Sequence, residues 1–395
     1  MIFPSKDTLL RQMVFIAMAP AIGLGIARFA YALLLPEMKS ELQWSYSQAG
    51  LINTTNAAGY LIGALLTAQL AKHFTLWRLL QTGVIVSVIA VLLMGFTSDF
   101  VALNTLRLLA GISGALCFVA GGTITAGLAA KSEKRSGFVL SLFYAGPGLG
   151  IVLTGISIPL FVTYFGNHRW TSAWLVAGSL AVVLAVVFFK AENTKNSTDT
   201  KAIRNLPQFS LVRNCPVLIG YFGFGAGYIS YMTFMYAYLK NSGSSSFHLS
   251  LFWVTIGAAS MASPWAWGSL ITRLQHGMAI SFLTFVTLIG AVIPLLSNTP
   301  WMIYTSGAIF GIAFFSVPAA TTAYARRNAN TSQLPYVIGV FTVAFGTGQV
   351  FGPVMAGSIS DKTAALSDGL WWGCVFLGFG LVIPLFQKDA ALKAD

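Results

Sequence analysis

MVFIAMAPAIGLGIARFAYALLL, Met13–Leu35, decides what kind of protein this is. At about 1.5 Å per residue it is long enough to cross the ~30 Å hydrocarbon layer of a bilayer as a helix. It carries a single charge, Arg28. A guanidinium at a membrane helix centre costs about 3 kcal/mol even on the gentlest scale, so the side chain should face protein, water or ligand rather than lipid. The middle of the run lies near Leu24, which puts Arg28 only ~6 Å outward of it. Arg28 is therefore a candidate binding residue, with snorkelling to an interface or a hydrogen bond to a neighbouring helix as the competing structural readings. Tyr31 follows at i+3 and shares its face.

The rest of the chain agrees. Over 395 residues it is 56% hydrophobic and only 9% charged, and its mean hydropathy of +0.75 excludes a soluble domain of this size. A net charge of +12 would suggest nucleic acid in a soluble protein. Here the basic residues are dispersed over short loops with no interleaved aromatic patch, so positive-inside bias explains them better and no nucleic-acid partner is expected. Cys117, Cys215 and Cys374 have neither metal spacing nor a pairing that sequence justifies, and they read as packing residues. Lys6 and Arg11 precede the first run as in a signal peptide. That run is long enough to span and others follow, so a retained first helix is expected.

Apolar runs of about 18 residues or more predict spans at 13–35, 46–71, 76–96, 101–129, 137–165 and 171–189, and again at 214–239, 248–272, 277–297, 300–325, 335–360 and 370–387. The polar stretch between the two sets divides the chain into an N-terminal six-helix bundle (1–190), a linker (191–213) and a C-terminal six-helix bundle (214–395). Seventeen of the 23 Lys and Arg residues fall on the side of the termini and linker. Four, Lys39, Arg169, Lys240 and Lys362, fall on the other, and Arg28 and Arg107 lie inside spans. Both termini are therefore expected in the cytoplasm. The halves also repeat at an offset of 200: Gly23, Gly25 and Tyr31 fall on Gly223, Gly225 and Tyr231, Gly111 on Gly311, and Gly146 on Gly346. This supports two bundles in the same orientation.

Twelve spans with a central linker and parallel halves resemble the major facilitator superfamily over essentially the whole chain. GVFTVAFGTGQVFGPVMAG fits that superfamily's antiporter pattern through Gly339, Gly348, Gly352, Pro353, Ala356 and Gly357, although in helix 11 rather than the usual helix 5, which keeps only Gly146-Pro147 and Gly150. Such glycines let helices approach closely and the proline bends the span, which serves either a rocking hinge or ordinary packing. RLLAGISGA is similar to the superfamily's helix 4 pattern through Arg107 and Gly111, and a structural pairing competes there with a role in substrate or proton traffic. Between helices 2 and 3 the family usually places an acid where this chain has Lys72, and the second-half echo has Thr272, so the chain departs from the pattern of the cytoplasmic latch. GLGIARFAYALLLPEM with NTTNAAGYLIGAL resembles the poorly characterised bacterial YbfB-like branch. The resemblance implies an all-α secondary transporter of the bacterial inner membrane that works by alternating access.

Candidate site residues come from polar and small stripes that should face the bundle interior. On helix 2 these are Asn53, Asn56, Tyr60, Gly63 and Thr67, and on helix 11 Thr342, Gly346 and Gln349. Interhelical hydrogen bonding is the competing reading for both. Tyr228 and Tyr231 match the positions of Arg28 and Tyr31, and Trp253 lies early in helix 8. All eleven carboxylates and all four histidines fall outside the span centres, so acid-base chemistry within the membrane has no group to use and no enzyme, metal or cofactor is expected. A cation would be repelled by the buried arginines, whereas an anion suits them. The sequence thus points to a monomeric transporter of a small organic anion or amphipathic acid. Arg28, Tyr31, Asn53 and Asn56 would engage its carboxylate and aromatics of helices 7 and 8 its apolar part. Protons are the candidate coupling ion, through the substrate's own carboxyl or Glu37. Multidrug or metabolite efflux and a non-transporting receptor on the same scaffold are the alternatives.

Overall fold

The computed structural model describes residues 6–130, 136–191, 210–329 and 334–388, and the linker expected at 191–213 falls outside them apart from its ends. Among the described residues every regular element is helical, as a bilayer-spanning chain without a closed barrel requires. In chain order the helices are α1 (Lys6–Pro20, continued by Ala21–Ile26 and Ala30–Glu41), α2 (Tyr46–Leu70), α3 (Leu76–Met94), α4 (Phe100–Ala130), α5 (Ser136–Phe165) and α6 (Trp170–Phe188). The second half follows with α7 (Cys215–Asn241), α8 (Ser246–Arg273), α9 (Met278–Leu296), α10 (Pro300–Phe314 and Ser316–Asn328), α11 (Leu334–Thr363) and α12 (Leu366–Val382).

Two helices that the apolar pattern predicts as continuous are broken. In α1 the stretch Ala21–Ile26 is a π-helical turn, followed by a turn before the helix resumes at Ala30. Local chemistry favours the break: Pro20 removes a backbone donor, and Gly25 passes so close to α5 that a Cβ there would lie 2.5 Å from the Pro147 carbonyl oxygen. In α10 the break falls at Phe315, three residues before Pro318, whose ring clashes with a carbonyl four residues back.

The repeat is visible in the packing. Ser45 caps α2 by accepting from the Gln48 amide, and Ser245 caps α8 by accepting from the His248 amide. Gly111 lies against the Asn56 carbonyl and Gly311 against the Ile256 carbonyl, so α2 meets α4 as α8 meets α10. Gly225 approaches the Phe345 carbonyl as Gly25 does that of Pro147, which makes α7 and α11 the counterpart of α1 and α5.

Among the described residues ten of the helices are long and apolar enough to cross a membrane. The exceptions, α2 and α8, are 25 and 28 residues long but more polar. Their position accords with this, because α2 packs on α11 and α8 on α5 along the seam between the halves. The seam is tight at one end only. There Glu37 of α1 pairs with Lys240 of α7, the Ser250 hydroxyl donates to the Gly155 carbonyl at 2.6 Å, and Asp361 of α11 accepts from the Tyr46 and Ser47 amides at 2.7 and 2.8 Å. Towards the other end α2 buries only Gly63 and Thr67 beyond Tyr60, and α8 only Ser263 and Ile271 beyond Ser260. Gly268 and Gly339 face open space there.

Candidate functional site

The site grows from the break in α1. Three residues of turn, 27–29, separate the π-helical turn from the resumed helix and leave the carbonyls of Ala27 and Arg28 without helical partners. Arg107 of α4 supplies them. Fully buried, it donates from Nη1 to the Ala27 oxygen at 2.6 Å and from Nη2 to the Arg28 oxygen at 3.2 Å and Asn53 Oδ1 at 2.8 Å. Its guanidinium lies 5.0 Å from the Tyr31 ring centroid, while the Tyr31 hydroxyl donates to the Ala49 carbonyl at 2.7 Å. Asn56 donates to the Arg107 carbonyl at 3.0 Å, and Asn53 reaches across the seam to Thr233 Oγ1 at 2.5 Å. Arg107, Tyr31 and Asn56 thus hold the shape of α1 and α2.

Arg28 projects from the same turn towards the seam and is 4% exposed. Nη2 donates to Gln349 Oε1 of α11 at 2.8 Å, and Gln349 Nε2 donates to the Tyr228 hydroxyl of α7 at 2.6 Å. A guanidinium only donates, so the amide orientation is fixed by chemistry. Among the described residues Nε of Arg28, which is buried, has no partner. No carboxylate balances the charge: among the described residues the sole ion pair is Glu37–Lys240. Instead the guanidinium lies over the Tyr60 ring at 5.1 Å, with Phe29 at 5.8 Å.

Around this cation stands an aromatic wall. Tyr228 stacks with Phe224 at 5.1 Å, Phe345 at 5.6 Å and Phe314 at 6.0 Å between ring centroids, and Phe29 meets Phe314 edge-on at 6.5 Å. These rings come from α1, α7, α10 and α11; of the two helices that the sequence points to, α7 contributes and α8 does not. Trp253 of α8 is buried against Gly155 near the tight end of the seam, and Tyr231 turns into the second half, where its hydroxyl meets Ser306 at 2.8 Å and its ring stacks on Phe310 at 3.9 Å. Of the residues singled out from sequence, Arg28, Tyr60, Tyr228 and Gln349 come together at the seam, and Asn53 joins them through Arg107.

The glycines and prolines that sequence assigns to gating serve close crossings. Gly146 fits against the Ala17 carbonyl and Pro20, Gly348 against the Phe222 carbonyl, and Gly352 against Ala226, each within its own half. The Pro353 carbonyl abuts Gly50 across the seam. Phe29, Thr233, Phe314 and Phe345 escape sequence reasoning, because in an apolar run rich in phenylalanine nothing marks which rings face a site.

Two similar bundles of membrane-crossing helices that meet along a seam have the architecture of a major facilitator carrier, and the family model agrees. The chain belongs to the family described as uncharacterised MFS-type transporter YbfB, whose profile matches residues 20–385. It is similar to the inner membrane transport protein YdhP of Escherichia coli O157:H7, 23% identical over 376 residues that cover 92% of each chain. It is also similar to the uncharacterized MFS-type transporter YcaD of Escherichia fergusonii, 21% identical over 78% of each chain. Among solved structures the fold matches the nucleoside transporter NupG, with a TM-score of 0.71 and 12% identity over 96% of this chain and 98% of that one. A bacterial homolog of the human lysosomal transporter Spinster, in an inward-facing and unoccupied conformation, gives a TM-score of 0.69 with 13% identity over 97% of both chains. Family membership makes the chain a multi-pass inner-membrane transporter and not an enzyme.

Proposed function

We propose that the protein carries a small amphipathic organic anion by alternating access, with Arg28 receiving the anionic group and the rings around Tyr228 and Tyr60 holding the apolar part. The surplus of donors at Arg28 carries this reading. Among the described residues Nε has no partner, Tyr228 accepts from Gln349 and keeps its own proton to give, and the only acceptor on the guanidinium is a neutral amide. A buried cation so equipped gains most from a carboxylate. The excess of basic residues on the side of the termini supports a cytoplasmic placement of both ends and of the linker. The tight end of the seam, at Glu37 and Lys240, is then periplasmic, and the two halves rock about the site as bundles 1–190 and 214–395. The carrier acts as a monomer. Protons couple through the ligand's own carboxyl or through Glu37, whose pairing with Lys240 spans the halves.

The test is flux of a panel of labelled organic acids into proteoliposomes under an imposed pH gradient. Arg28→Gln should lower anion flux about 100-fold, the equivalent of a buried charge-assisted bond, and Arg28→Lys should restore part of it. Anion flux indifferent to Arg28→Gln removes the site. Flux confined to neutral or cationic drugs favours the efflux reading, and no flux of any solute favours a receptor.

A further inference from the structure

We propose that the side-chain carbonyl of Gln349 occupies the place a ligand's anionic oxygen takes on Arg28, and that exchanging one for the other releases a tie between the two halves. The inference rests on the anion reading of Arg28. At the centre of the seam two hydrogen bonds join side chains of opposite halves, Arg28 to Gln349 and Asn53 to Thr233. The first is the replaceable one. Gln349 is fully buried, presents a planar oxygen 2.8 Å from Nη2, and anchors its nitrogen on Tyr228. A carboxylate presents the same kind of oxygen with a charge, and a charge-assisted bond is roughly twice as strong as a neutral one.

The unpartnered Nε adds a geometric reason. Nε and Nη2 share one edge of the guanidinium, the edge that a carboxylate grips with two parallel bonds. One amide oxygen satisfies only one of that pair, which is what is observed: Nη2 bonded, Nε buried and bare. Displaced, Gln349 leaves Tyr228 free to turn its hydroxyl to the ligand. Repeat symmetry does not demand a polar group here, since the position equivalent to Gln349 in the first half is Leu149. The polar contact belongs to the seam and not to the scaffold.

A competitor and a ligand contact differ in sign. Isothermal titration of the full-length purified protein with benzoate, hexanoate and inorganic phosphate compares wild type with Gln349→Leu, Gln349→Glu and Arg28→Gln. With the competing oxygen gone, Gln349→Leu should bind at least one of the three about tenfold more tightly than wild type, the value of a lost hydrogen bond. Gln349→Glu, whose carboxylate fills the place permanently, should bind none. The tie is read separately by maleimide labelling of Leu65→Cys, an exposed site on α2, in a Cys215→Ser background, since Cys215 is itself exposed. Bound anion should change the wild-type labelling rate, and Gln349→Leu should show the changed rate without anion. Weaker or absent binding in Gln349→Leu, or a labelling rate equal to that of wild type, overturns the exchange while leaving Arg28 as the receptor. Binding that Arg28→Gln leaves unaltered overturns the anion reading beneath it.

Discussion

Two hundred residues apart, the halves mount different side chains on one scaffold. Arg28, Asn53, Asn56 and Arg107 of the first correspond to Tyr228, Trp253, Ile256 and Gly307 of the second, while the capping serines 45 and 245 and the crossing glycines 111 and 311 are kept. The difference follows from α1. Its break frees carbonyls that only a multi-donor fork can serve, and Arg107 provides one; α7 is continuous over Cys215–Asn241, frees none, and the equivalent position is Gly307 packed on the Phe252 carbonyl. An interrupted helix and a buried arginine are therefore one device, present in one half only. The first half supplies the charge, with Tyr60 and Phe29 beside it, and the second supplies most of the rings, the division that the proposed amphipathic ligand would use.

The largest way to break this comparison is Arg107→Met. It strands two carbonyls and Asn53 Oδ1, and should cost about 3 kcal/mol or more of stability at roughly 1–3 kcal/mol per unsatisfied buried group. Thermal melting in detergent measures it, and Arg107→Lys should rescue little, because an ammonium cannot span the same acceptors. A melting temperature unchanged in both variants would separate the arginine from the break. Next come Gly111→Val and Gly311→Val, which press new carbons onto the carbonyls of Asn56 and Ile256 and should each cost about 1–3 kcal/mol of overpacking. The two losses should match; a large disparity would show that the scaffold is shared less closely than the glycines suggest.

Smaller effects probe the tight end of the seam. Asp361 gives α2 a second cap on its first amides, whereas the equivalent position for α8 is Phe161. Asp361→Ala should cost about 1 kcal/mol, the usual worth of a cap, and should speed amide exchange at the start of α2 but not of α8. Glu37→Gln and Lys240→Gln should show a coupling of about 0.5–1 kcal/mol in a double-mutant cycle that weakens with salt, since Lys240 remains partly exposed. A coupling of zero would mean that the pair is a neighbourly contact and no part of the closure.

The spans were legible because lipid imposes a length and a composition on every helix that crosses it, and the repeat because close helix crossings need glycine at fixed positions. The breaks were not. Pro20, Gly23 and Gly25 permit a π-helical turn without requiring one, and the group that serves the carbonyls freed after it is Arg107, eighty positions away. Lys240 looked like an outer loop cation, because nothing local joins it to Glu37. The candidate site was half legible. Arg28 announces itself as a charge in an apolar run, but Gln349, 321 positions on, becomes its partner only when two bundles close on each other.

Sequence by itself determined the medium, the number and order of crossings, the division into halves and the presence of an expensive cation inside the first apolar span. Those depend on composition and period, which act locally. Tertiary structure decided which arginine is structural and which is presented to the seam, and which rings surround it. That choice depends on where unsatisfied donors and acceptors meet in three dimensions, and no spacing along the chain encodes it.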